Sequence, residues 1–106
     1  MKDKPSPPIA CDLHRLTAAE REREKRLLDE VRKAAVEIRD VPAGYALQFP
    51  GDAGIVLTLA EFITLERACC AFLDFELRCE AEGGPVSLSM TGREGVKQFL
   101  EKLLCQ

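Results

Sequence analysis

No stretch of this sequence assembles the ~18 apolar residues that a membrane span requires, and no basic stripe runs along it. With 15 basic against 18 acidic residues the net charge is −3, so there is no electrostatic reason to expect nucleic acid as a partner. Met1 to Pro8 contain no apolar core of the kind a signal peptide needs. Together these absences predict a cytoplasmic compartment, where thiols stay reduced. The cysteine count is five, an odd number that cannot pair completely within one chain, and free thiols are the expectation. Histidine occurs once, at His14, and neither Cys-x-x-Cys nor a glycine-rich phosphate loop is present. A thioredoxin-type motif is therefore excluded, and little remains to activate a nucleophile.

What is present suits one compact domain. The chain has 106 residues, 46% apolar and 31% charged, enough to bury a core without disulfides or a structural metal. We divide it into an N-terminal arm, residues 1–16, and a single domain, residues 17–106. The pattern Thr-x-x-Glu occurs at Thr17–Glu20, Thr58–Glu61 and Thr91–Glu94, and each reads as a capping box that opens a helix. The first helix is predicted from Ala18 to Arg39, with Leu27, Val31, Ala34 and Ile38 as its apolar stripe. Its first two turns are charged all round, which predicts projection into water or an arm contacting a second subunit.

Tyr45, Leu47 and Phe49 alternate with Ala46 and Gln48 as a half-buried strand does. Pro50 to Gly54 reads as a hairpin loop, and Ile55-Val56-Leu57 as its return strand. A helix from Leu59 to Cys70 follows. Leu73, Phe75, Leu77 and Cys79 then alternate with charged residues, and Val86, Leu88 and Met90 alternate with serines across the turn Glu82 to Pro85. A last helix, Arg93 to Leu104, presents Val96, Phe99, Leu100 and Leu103. The predicted order is αββαββα: a two-layer α+β sandwich with a four-stranded antiparallel sheet and helices on one face. Strand order is not readable from the pattern.

One helical turn concentrates the chemistry. On a 100° projection Glu66 falls between Cys69 and Cys70, on the face shared with Leu59, Phe62 and Ile63. A buried carboxylate there must be paired, protonated or coordinated, while Arg67 points to the edge. Cys11 alternates with Ala10 and Asp12 and can face inward, giving three sulfurs. Cys11, Cys69, Cys70 and Glu66 are then a candidate set for binding a soft ion, Zn²⁺, Cu(I) or Hg²⁺, or a small thiol-reactive ligand. The competing reading makes the cysteines small core residues, with Glu66 accepting hydrogen bonds from Tyr45 or a backbone N–H, in a non-catalytic interaction module that forms a homodimer. A thiol redox sensor or enzyme, with Glu66 as base, is the third. Cys79 is expected in the core, Cys105 exposed, and His14 on the side opposite Cys11.

The segments Cys11 with Leu13, Gly44 to Pro50, Glu66 to Phe75, and Gly84-Pro85 through Thr91-Gly92 to Phe99-Leu100 carry a family resemblance. They are similar to a family of small bacterial proteins marked by Glu-Arg-x-Cys-Cys-x-Phe and associated with regulators of the mercury-responsive type. Ala71 stands where that family usually has proline, a departure that leaves the thiols untouched. The resemblance implies soft-metal handling and no particular enzymatic activity.

Overall fold

A computed structural model describes residues 9–105; residues 1–8 of the expected arm lie outside the described residues. A short 3₁₀ turn, Leu13–Arg15, leads into α1, Ala18–Ala34. A hairpin follows, of β1 (Glu37–Val41) and β2 (Gly44–Phe49), then α2 (Ala53–Cys69). A second hairpin, β3 (Asp74–Cys79) and β4 (Val86–Thr91), precedes α3 (Val96–Leu104). The four strands form one antiparallel sheet in the order β1-β2-β4-β3. The predicted class and the order αββαββα hold.

The central strands alternate as one-sided burial requires. Leu47 lies opposite Leu88 and Phe49 opposite Val86, and all four are buried while Ala46, Gln48, Ser87 and Ser89 are only half-buried. α3 packs on β2 and β4, α2 packs on β4, and α1 packs on α2. Leu27 and Val31 of α1, Leu59 and Phe62 of α2, and Val96 and Leu100 of α3 have no exposed surface. Gly44 sits where β2 approaches β4 so closely that a Cβ would run into the backbone carbonyl of Met90, leaving room for glycine alone.

The first hairpin is not built from the predicted residues. α1 stops at Ala34 and Glu37–Val41 is a strand, with Ile38 opposite Leu47. Ile38 fits a helical stripe and a strand equally well; pairing with β2 decides between them. Ile55-Val56-Leu57 is not a return strand but the first turn of α2, capped by Asp52, whose side chain accepts from the Ile55 N–H. Thr58 is interior to that helix and caps nothing. Thr91 ends β4, and α3 starts beyond Gly95 with no side-chain cap. Only Thr17 forms its box, reciprocally with Glu20.

The charged beginning of α1 does not project past the core, because one side of it lies against α2. Arg23 donates to both carboxylate oxygens of Glu61, at 2.9 and 2.7 Å, and Glu24 is buried. Cys79 is exposed rather than in the core. It ends the edge strand β3, beyond the central strands that the helices cover.

Candidate metal centre

The site forms where the N-terminal arm crosses the last turn of α2. Leu16 anchors the arm in the core, and Arg21 Nη1 donates to the carbonyls of Leu13 and Leu16. The Asp12 N–H donates to the Cys69 carbonyl at 2.8 Å. That carbonyl belongs to the last helical turn, whose acceptors have no intrahelical donor, and the bond sets Cys11 beside Cys70. Their Cα atoms are 4.7 Å apart and the two form a disulfide, a separation within the ordinary range for such bonds. Cys69, Cys79 and Cys105 are free. The expectation of five free thiols is thus corrected to three. The cause is the arm's backbone bond to α2, a long-range contact that cysteine parity cannot report.

One ligand atom from each of Cys11, Glu66, Cys69 and Cys70 lies within 4.8 Å of the others. The four residues proposed from sequence are therefore brought together in a Cys/Glu cluster that could hold a metal ion. The Cys69 and Cys70 sulfurs are 3.7 Å apart. His14 is exposed and takes no part, and Arg67 is exposed as well. Cys105 is exposed, as expected.

Glu66 has no exposed surface, yet neither Tyr45 nor a backbone N–H reaches it. Its Oε1 lies 3.5 Å from the Cys70 sulfur, which carries no proton while it is bonded to Cys11. Its Oε2 has no hydrogen-bond donor among the described residues. Burial pushes the Glu66 pKa up to about 9, reinforced by a hydrogen bond to the Glu24 carboxylate and by repulsion from it. The raised pKa keeps the carboxyl protonated at neutral pH, which lowers the cost of burying it without a cation. Glu24 is the residue that sequence reading missed. Its signal was present, since Leu27 and Val31 extended backward by one turn reach Glu24, but charge on every side made that turn look solvated.

The Cys69 thiol is pushed up to about 12, first by burial, then by the negative charge of Glu66 and Glu24, with Asp12 adding a smaller share. A thiol held so firmly in its protonated form is a poor nucleophile at neutral pH. The same acidic surroundings suit a cation. A cleft of about 120 Å³ opens onto Cys69 between the arm (Ala10, Asp12, Arg15) and the helix exit (Ala68, Ala71, Phe72). Comparison with protein-family models, with curated proteins and with solved structures gave no match.

Proposed function

We propose that the reduced chain binds a soft closed-shell metal ion (Zn²⁺, Cu(I) or Hg²⁺) through Cys11, Cys69 and Cys70, with Glu66 as the oxygen donor or as the group that receives a displaced proton. The observation that carries this reading is the convergence of four potential donors from two separate elements within 4.8 Å of one another. Zn–S bonds of about 2.3 Å place neighbouring sulfurs of a tetrahedron roughly 3.8 Å apart, and the Cys69 and Cys70 sulfurs stand at 3.7 Å. The buried Glu66 carboxyl in contact with this set is further support, because a bound cation could replace its proton and stabilise it as a carboxylate ligand. The family resemblance carried by Glu66 to Phe72 favours the same chemistry. No helix among the described residues is long and apolar enough to cross a membrane, and a cytoplasmic location remains part of the proposal.

Thiols bind metals as thiolates, so protons compete with the ion. Affinity is expected to rise with pH, by about tenfold per unit for every proton released. Titration of the reduced chain with Zn²⁺ against a chromogenic chelator, at several pH values between 6 and 8, measures this. Cys69→Ser/Cys70→Ser is expected to lose binding; if it binds Zn²⁺ as tightly as the parent, the proposal is wrong.

A further inference from the structure

We infer that the Cys11–Cys70 disulfide is a redox gate on the metal centre, so that the site holds either a disulfide or a metal ion and never both. The inference rests on the soft-metal reading above and adds its regulation. Two of the three sulfurs in the cluster are joined to each other, and sulfur in a disulfide has lost the thiolate charge that binds soft cations. Cys69 and Glu66 are then the only ligands left of the four, too few to close a structural zinc site. Oxidation therefore does not trim the site; it removes half its donors and two of its three negative sulfurs.

The arm is built to stay in place through this exchange. The bond from the Asp12 N–H to the Cys69 carbonyl, the burial of Leu16 and the two bonds from Arg21 to arm carbonyls do not involve a sulfur atom. Opening the disulfide consequently leaves Cys11 beside Cys69 and Cys70, where three thiols face the same point. The gate changes the donor set without requiring a change of fold.

Accessibility fixes the order of events. Cys11 is half-buried, whereas Cys69 and Cys70 are buried. The oxidant we assign is a low-molecular-weight disulfide, RSSR. The Cys11 thiolate attacks one of its sulfurs, breaking the S–S bond and releasing one RS⁻. The Cys70 thiolate then displaces the second RS⁻ from Cys11 and forms the internal disulfide. Two protein S–H bonds are lost, the two protons end on two RSH molecules, and the two electrons have passed to RSSR. A metal ion on Cys11 and Cys70 blocks both steps by occupying their sulfur lone pairs.

The test uses the full chain with Cys79→Ser and Cys105→Ser, which removes exposed thiols that lie outside the cluster. Zn²⁺ affinity is measured by chelator competition on the reduced form and on the form oxidised with oxidised glutathione, whose Cys11–Cys70 linkage is verified by peptide mass. The oxidised form is expected to bind Zn²⁺ more weakly by a factor on the order of 100 or more, having lost two thiolate ligands. In the reverse direction, saturating Zn²⁺ is expected to slow disulfide formation by about tenfold or more. Equal affinity of the two forms, or oxidation at an unchanged rate with Zn²⁺ bound, overturns the gate while leaving the metal reading intact. Failure of the reduced form to bind Zn²⁺ overturns both. In Cys70→Ser the reaction is expected to stop at the mixed disulfide on Cys11; if glutathione is found on Cys69 instead, the assigned order of attack is wrong.

Discussion

Glu66 is a carboxyl side chain without exposed surface and, among the described residues, without a donor on Oε2, and its titration links the stability of the chain to pH. Folding raises its pKa from 4.5 to about 9. Between those values the folded chain keeps a proton that the unfolded chain has lost. The stability contributed by this group is therefore complete below the unfolded value, declines as pH rises, and is gone above the folded one. The slope approaches about 1.4 kcal/mol per pH unit. Glu66→Gln keeps the shape of the protonated carboxyl and has no proton to lose. Without metal it is expected to exceed the parent in stability at pH 8 by about 2 kcal/mol or more and to match it near pH 4. Urea denaturation at the two pH values measures this, and a constant difference between the proteins would refute the assignment of the proton. Much of this residue was legible in the sequence, because helical geometry alone puts a carboxylate at 66 on the apolar face. Its partner was not, because Glu24 belongs to another helix and its burial depends on how α1 lies on α2.

At the scale of elements, three identical Thr-x-x-Glu patterns met three different fates. A hydroxyl caps a helix only where the backbone before it is not helical, and that condition is set by neighbours outside the pattern. Thr17 follows the arm and caps. Thr58 follows five residues already wound into α2, because Asp52 provides an earlier cap just after the Pro50-Gly51 break. Asp52→Ala is expected to destabilise the chain by about 1 kcal/mol, and Thr58→Ala by less than about 0.5 kcal/mol, since alanine is the better helix former. Chemical denaturation of the two variants separates the assignments; a larger loss at Thr58 would favour a helix starting there. The short apolar run Ile55-Val56-Leu57 misled for a related reason, as periodicity cannot tell a three-residue strand from one turn of a buried helix. Where alternation was long and one-sided, in β2, β3 and β4, sequence and structure agree on the elements. Only the environment of Cys79 escaped, because the position of a strand at the edge or centre of a sheet is not written in its own alternation.

Across the whole molecule, the arm and the domain are joined by a bond spanning 59 residues. A cross-link closing a loop of that length removes enough unfolded-state entropy to stabilise the fold by about 3–4 kcal/mol. Reduction without added metal is expected to lower the unfolding free energy by about that amount, and Zn²⁺ added to the reduced chain to restore part of it. Thermal or urea unfolding of the oxidised, reduced and zinc-loaded forms compares the three; a reduced chain as stable as the oxidised one would show that the arm contributes nothing as a staple.

The sequence alone determined the alternation of helices and hairpins, the one-sided sheet and the candidate set Cys11, Cys69, Cys70 and Glu66. Those features follow from local periodicity and from side-chain chemistry that does not depend on distant neighbours. Tertiary structure decided the strand order, the start of α2, the exposure of Cys79, the burial of Glu24 and the bonding of Cys11 to Cys70. Each of these depends on which segments meet in space. A backbone hydrogen bond from Asp12 to Cys69 or a strand pairing between Ile38 and Leu47 gains its free energy only after the chain has closed a loop, and no local pattern records that closure.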